Sequence, residues 1–279
     1  MSITKRNDIL KNKLKSAIYG LAVADAIGVP YEFRSRGTFK ATDMIGYGSH
    51  NQPKGTWSDD TSMTLATCAS IKDCGCIDVS DMLEKFRAWA YKGEYAIDGR
   101  VFDIGCTTSE ALYTGTGRAD ERSNGNGSLM RIIPLAFTDA EDDTIKSVSA
   151  ITHAHNISKA ACVCYVHIVR SLIQGGKLKA VLESLENPFE RINTISTLEE
   201  SEIKSSGYVV STLEAALWAV STTDNYCDAV LKAVNLGNDT DTVGAVAGGL
   251  AGIIYGIEEI PAEWLDSLKG KDIIDNCLF

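Results

Sequence analysis

Two short acidic clusters hold the side chains best suited to chemistry. One reads Trp57-Ser58-Asp59-Asp60-Thr61 and the other Asn238-Asp239-Thr240-Asp241-Thr242; each sets two carboxylates among hydroxyls where a helical pattern begins. Carboxylate and hydroxyl oxygens without an adjacent thiolate or imidazole are hard ligands, suited to Mg²⁺ or Mn²⁺ and less often to Ca²⁺. Zinc favours His and Cys. Each cluster taken alone is also what an ordinary helix start looks like, since Ser, Thr and Asp cap helices and offset the dipole. A calcium loop of the EF-hand type is excluded, because Val243 and Leu250 fall where oxygen ligands belong.

Further groups have two readings each. In Gly28-Val29-Pro30-Tyr31-Glu32-Phe33 a helix ends at glycine and proline, and a carboxylate follows between aromatic residues. Glu32 can join a metal shell or act as a base of raised pKa, or it is a solvated loop glutamate. Asp25, inside Ala22-Val23-Ala24-Asp25-Ala26, needs a partner for a carboxylate in a helix interior. The run Asn124-Gly125-Asn126-Gly127-Ser128 precedes a helical pattern. Its glycines allow inward-facing N–H groups that hold a phosphate, although Asn-Gly pairs are also common turns. His153 and His155 with Cys162 and Cys164 suggest zinc, but residues two apart on a helix point to different faces. A ligand-contacting or a capping histidine fits better.

The elements that must position these groups are helical. Apolar residues recur at helical spacing over residues 8–27, 61–71, 80–91, 106–113, 129–137, 145–152, 158–174, 208–220, 226–234 and 242–255, and no convincing strand is present. The last of these is rich in Gly and Ala, which fits close helix packing; its apolar run, 243–257, falls short of the ~20 residues a membrane span needs. Met63, Trp89, Trp218 and Trp264 fall on apolar faces and are expected in the core. Loops gather at 35–58, 93–105 and 114–128, where functional groups are expected. Residues 186–206 read as an acidic insertion forming a surface helix pair. With five prolines and no Ser/Gly linker in 279 residues, the economical reading is one all-α domain over 1–279.

A net charge of −10 argues against a nucleic-acid backbone or an anionic membrane as the main partner. The eight cysteines lack C-x-x-C spacing and are expected to be reduced and mostly buried, in a cytoplasmic protein. The segment Met1 to Leu14 carries no signal-peptide apolar stretch.

In order along the chain, Gly20 to Phe33 (G-x-x-x-x-D-A-x-G-x-P-x-E), Trp57 to Thr61, Asp103-Ile104-Gly105-Cys106-Thr107, Gly125 to Pro134, Thr152-His153, Ser206-Gly207-Tyr208 with Thr212 to Ala216, and Gly237 to Gly256 with Ile260-Pro261 and Trp264 resemble the ADP-ribosylglycohydrolase family. The resemblance covers nearly the whole chain. It implies an all-α multihelical orthogonal bundle around a cleft holding two divalent cations, Mg²⁺ or Mn²⁺. It also implies hydrolysis of the glycosidic bond between ADP-ribose and an acceptor. Carried over by position, Ser58, Asp59, Asp60, Asp239, Asp241 and Thr242 would bind metal, and Asp103 and Glu32 would be catalytic. Asn124, Gly125, Asn126, Gly127, Ser128, His153 and Tyr208 would bind substrate. The D-I-G context of Asp103 is similar to that of the nitrogenase-associated branch, which tilts the expected acceptor toward arginine-linked, ADP-ribosylated protein. Other ADP-ribosyl conjugates, including modified nucleic acid, stay open, as does a catalytically silent binding or structural protein of the same fold. Ala24 and Ser58 depart from the glycine and threonine common in the family, and serine keeps the ligating hydroxyl.

Overall fold

Small residues at both ends of the chain build the centre of the molecule. The computed structural model describes residues 3–279, with side chains from Asn7 onward; Met1 and Ser2, the first residues of the segment without a signal-peptide pattern, lie outside the described residues. The helices are α1 (Ile3–Gly28), α2 (Asp59–Cys74), α3 (Val79–Lys92), α4 (Cys106–Thr114), α5 (Asp142–Ser149), α6 (Asn156–Ile173), α7 (Leu178–Ser184), α8 (Val209–Ser221), α9 (Tyr226–Val234), α10 (Thr240–Tyr255), α11 (Ala262–Ser267) and α12 (Lys271–Cys277). Only isolated bridges, and no sheet, occur among the described residues. No described helix is long and apolar enough to cross a membrane.

Helix α10 is buried from Thr240 to Ile253, and its most extensive partner is α1. A helix that is apolar on every side belongs in the middle of a bundle. The two backbones approach so closely that a methyl group on Gly20 would collide with the Gly248 carbonyl, and one on Gly252 with the Ser16 carbonyl. The Gly/Ala content of α10 is therefore spent on close packing. Around this pair stand α2, α6, α8 and α9. Met63, Trp89, Trp218 and Trp264 are all core residues. Asp78 and Asn225 cap α3 and α9, and left-handed Gly75, Gly93 and Gly115 end α2, α3 and α4, as residues of these types ordinarily do.

Three expectations need correction. Residues 129–137 do not form a helix: turns lead into a 3-10 stretch, Ile133–Phe137, with Pro134 in its first turn. Leu129, Met130, Ile132, Ile133 and Leu135 are all buried, so the apolar run crosses the core instead of presenting one face, and Pro134 lacks the N–H that a continuing helix requires. Residues 186–206 are not a surface helix pair. They form 3-10 turns at Ile192–Thr197 and Glu200–Glu202, which bury Ile192, Ile195 and Ile203, while Trp218 Nε1 donates to the Leu198 carbonyl at 2.9 Å. The eight cysteines are free thiols but are not mostly buried: Cys68, Cys162, Cys164 and Cys277 are buried, Cys227 is half-buried, and Cys74, Cys76 and Cys106 are exposed. Short helices α7, α11 and α12 carried too few turns for their periodicity to stand out.

Candidate functional site

The C-terminal end of α1 and the N-terminal ends of α2 and α10 meet at one point. Gly28 makes the meeting possible, because a methyl there would strike the backbone of Thr240 and Asp241. The Thr240 hydroxyl donates to the Gly28 carbonyl at 2.8 Å, tying the two helix ends together. Asp25 finds the partner its burial requires in the first turn of α2. Its carboxylate accepts from the Ser58 amide at 2.9 and 3.1 Å, and from the Thr61 amide and hydroxyl at 3.1 and 2.6 Å. The Ser58 side chain caps α2 by accepting from the Asp60 amide, and its hydroxyl donates to Asp60 Oδ2 at 2.9 Å. The Thr242 hydroxyl donates to the same Asp60 oxygen at 3.3 Å, and Asn126 Nδ2 donates to Asp239 Oδ2 at 2.8 Å.

Glu32 follows a short 3-10 turn, Val29–Tyr31, and is buried; its Oε2 contacts His50 Nε2. Asp103 Oδ2 lies 3.9 Å from the same His50 nitrogen, and carboxylate oxygens of Glu32 and Asp103 lie within 4.8 Å of each other. The loops carrying them are braced in the left-handed backbone region. Phe33 has φ 64°, Asp103 59° and Asn238 61°. The Phe33 amide donates to the Asn238 carbonyl at 2.6 Å, and the Asn238 amide donates to the Arg34 carbonyl at 2.7 Å. Two segments some two hundred positions apart are thereby locked beside each other.

Oxygen atoms of Asp25, Asp60 and Asp241 lie within 4.8 Å of one another, as do ligand atoms of Glu32, His50, Asp103 and Asp241. Asp241 belongs to both groups. Buried Asp60 Oδ1, Asp239 Oδ1 and Asp241 Oδ2 have no hydrogen-bond partner. Burial, then mutual repulsion, holds Asp59, Asp60 and Asp241 far above the usual carboxylate range. Burial also pushes Asp25 and Asp103 up to about 7 and Glu32 up to about 8, with neighbouring charges adding to the rise for Asp103 and Glu32. Orphaned, converging carboxylate oxygens of this kind fit hard divalent cations, which supply the missing partners and cancel the repulsion. The seven acids Asp25, Glu32, Asp59, Asp60, Asp103, Asp239 and Asp241 thus form an acidic cluster able to hold metal ions.

Above the cluster opens a cleft of about 380 Å³, lined by Glu32, Phe33, Asp59, Asp103 to Thr108, Gly125 to Gly127, Met130, His153, Gly207, Asp239 and Thr242. His153 stands under the glycine loop, where a methyl on Gly127 would run into its ring. Behind it lies fully buried Arg131, with its guanidinium 4.4 Å from the centre of the Phe86 ring. Arg131 Nη2 donates to the Thr152 hydroxyl at 2.9 Å, and that hydroxyl lies 2.9 Å from His153 Nδ1. The Thr152 hydroxyl is fully buried and has one proton to place; accepting from Arg131, it finds in His153 Nδ1 an acceptor for that proton, which assigns the ring proton to Nε2, the nitrogen nearer Gly125. Burial and the Arg131 charge push His153 down to about 3, so the ring is neutral.

Of the residues singled out in the sequence, Glu32, Asp59, Asp103, Gly125, Asn126, Gly127, His153, Asp239 and Thr242 line this cleft, and Ser58, Asp60 and Asp241 lie buried beneath it. Tyr208 sits to one side, 42% exposed, in a backbone bridge with Gly125. Asn124 and Ser128 are absent from the lining. Asn124 holds the Glu121 carbonyl and Ser158, and Ser128 packs its hydroxyl against Ser149 and Cys162. His155 caps α6 by accepting from the Ile157 amide, one of its two expected roles. Sequence reasoning left Asp25 without a partner and passed over His50. The signal for Asp25 was its apolar surroundings; His50 had only its rarity and its place in the loop at 35–58.

Compared with known proteins, residues 6–278 match the family model described as ADP-ribosylglycohydrolase. The chain is 38% identical to the ADP-ribosylarginine hydrolase Tri1 of Serratia proteamaculans, over 95% of this chain and 77% of that protein. It is 33% identical to the ADP-ribosyl-dinitrogen-reductase glycohydrolase of Rhodospirillum rubrum, over 91% and 90%. A solved structure titled as an ADP-ribosylglycohydrolase-related protein complex superposes with a TM-score of 0.80 at 30% identity, covering 97% of this chain and 96% of that one.

Proposed function

The chain belongs to the ADP-ribosylglycohydrolase family, and from that premise we propose that it hydrolyses the N-glycosidic bond joining ADP-ribose to arginine in a modified protein. The observation that carries this reading is the acidic cluster itself: buried carboxylate oxygens without partners, at the floor of a cleft whose wall is a glycine loop backed by a neutral histidine. In it two divalent cations, Mg²⁺ or Mn²⁺, would be held by Ser58, Asp59, Asp60, Asp239, Asp241 and Thr242, with Asp25 supporting the first loop. Bound there, such ions supply Lewis-acid polarisation of sugar hydroxyls and lower the pKa of a water molecule.

The protein's own groups have distinct tasks. The N–H groups of Gly125 and Gly127 and the Nε2–H of His153 offer donors to a diphosphate, the Asn126 N–H being taken by the Gly207 carbonyl at 3.0 Å, and neutrality lets His153 do so without titrating near pH 7. Asn126 links the two regions: it lines the cleft, and its side chain orients Asp239. Glu32 and Asp103 are neighbouring carboxyls that burial raises to about 8 and about 7 in the metal-free protein, so the pair loses its protons in two steps, with one carboxyl protonated while the other is ionised. The protonated member can hand that proton to the departing guanidine, which leaves as guanidinium. The ionised member takes one from water as the water oxygen bonds to the anomeric carbon, and its charge offsets the oxocarbenium character of the transition state.

The test is release of free ADP-ribose from arginine-linked and serine-linked conjugates, side by side, with Mg²⁺, with Mn²⁺ and with EDTA. Release from the arginine conjugate that requires metal is expected. Release from serine alone would reassign the acceptor and remove Asp103 as its marker. Tight ADP-ribose binding with no release from either would make the chain a binding protein.

A further inference from the structure

Phe33 combines two unfavourable features. It is a bulky residue at φ 64°, in the region where Cβ crowds the backbone, and it is 71% exposed. Asparagine or glycine would occupy that backbone with less strain, and an exposed phenyl ring gains nothing from burial. Two backbone hydrogen bonds with the 238 loop hold the conformation, so the direction in which the side chain leaves the backbone is imposed by the fold. Phe33 lines the cleft, and beside it, just outside the lining, stand two more rings: the Phe33 and His50 ring centres lie 5.6 Å apart and those of His50 and Phe102 5.2 Å apart, both tilted. Directly behind these rings stand Glu32, in contact with His50, and Asp103.

We propose that the Phe33–His50–Phe102 rim is the seat of the acceptor's guanidinium, with Phe33 a specificity-determining residue for arginine-linked substrates. The proposal rests on the arginine reading of the same site. A guanidinium is planar and weakly hydrated, so it stacks on aromatic faces at little desolvation cost while presenting N–H groups edge-on to carboxylates. The rim offers both surfaces at once: rings on the outside and two acids immediately inward. A serine acceptor has neither plane nor cation and draws nothing from the rings. The strain at Phe33 is thereby explained as the means of holding a phenyl face over the mouth, where a relaxed backbone would let the ring fold away.

The experiment compares Phe33→Asn, Phe33→Gly and Phe33→Tyr with the wild type. Asn and Gly both tolerate the left-handed backbone and remove the ring, and Tyr keeps it. Measured are kcat and KM on an ADP-ribosyl-arginine conjugate, the Kd of free ADP-ribose by calorimetry, and melting temperature. Both ringless variants are expected to lower kcat/KM about 2- to 30-fold, the range set by one cation–π contact, mostly through KM. ADP-ribose affinity should stay within about twofold, and Tyr should restore most of the loss. Ringless variants with wild-type kinetics on a conjugate that the wild type cleaves would overturn the seat alone. A parallel loss of ADP-ribose affinity would also overturn it, by assigning Phe33 to the nucleotide. A wild type that cleaves no arginine conjugate but does cleave a serine one would overturn the arginine reading and the seat together.

Discussion

Gly28→Ala is the sharpest test of how the acidic site is assembled. Gly28 has φ −72°, so alanine is compatible with the backbone and even favours a helix end by up to about 1 kcal/mol. The obstacle is across the interface. A Cβ would stand 2.5 Å from both the Asp241 amide nitrogen and the Thr240 carbonyl oxygen, and closer still to Asp241 Cα; these are backbone atoms that cannot rotate aside. Restoring ordinary contact requires the two helix ends to part by about 1 Å. Overpacking of this kind costs about 1–3 kcal/mol, so after the propensity gain a net loss of roughly 0–2 kcal/mol is expected. Function should suffer more. Asp241 is shared by both carboxylate groups, whose ligand atoms lie within 4.8 Å, and an error of 1 Å there costs about 10²-fold in rate. Gly20→Ala is the companion variant: it meets the Gly248 carbonyl on the same helix pair, but about 12 Å further along the axis. It should lose stability with a much smaller effect on rate. Both are measured by thermal melting, with and without Mg²⁺ or Mn²⁺, and by ADP-ribose release at a temperature where all variants are folded. Wild-type turnover in Gly28→Ala, or equal losses in the two variants, would refute the argument that Gly28 sets the position of Asp241.

Further outcomes follow from the electrostatics. Asp25 and Asp103, raised from 3.8 to about 7, and Glu32, raised from 4.5 to about 8, hold protons in the folded state that the unfolded chain releases. In EDTA, stability should therefore fall as pH rises from about 4 to about 8, while divalent cation, which needs the ionised acids, should oppose that fall. Asp241→Asn should raise the melting temperature in EDTA and shrink the gain on adding metal; a chelated protein with flat stability across that range would contradict the cluster's role. His153 should remain a neutral ring with its proton on Nε2 between pH 5 and 9, as ¹⁵N NMR of the imidazole reports. Thr152→Val should release that tautomer and weaken ADP-ribose binding, and an imidazolium or an unaltered tautomer in the variant would reject the Arg131–Thr152–His153 chain.

Local chemistry made much of this molecule legible in its sequence. Hydroxyl-flanked carboxylates at two helix starts announce a hard-ligand site because ligand type depends only on the side chains present, and the Gly/Ala stretch of α10 announces close packing because only small residues permit it. Helical periodicity located the long amphipathic elements. It misjudged residues 129–137, because a segment buried on all sides has no face for periodicity to report, and residues 186–206, whose isoleucines pack through 3-10 turns.

Tertiary structure decided what lies between distant positions. That Asp25 grips Ser58 and Thr61, that Glu32 meets His50 and Asp103, that Asn126 reaches Asp239 and that Phe33 leans on Asn238 are pairings across 18 to 205 residues. No spacing rule encodes them, because spacing rules describe neighbours on one helix or strand. The same applies to charge: the sequence marks which carboxylates are candidates, but their raised pKa values arise only when the fold removes water and sets the others beside them.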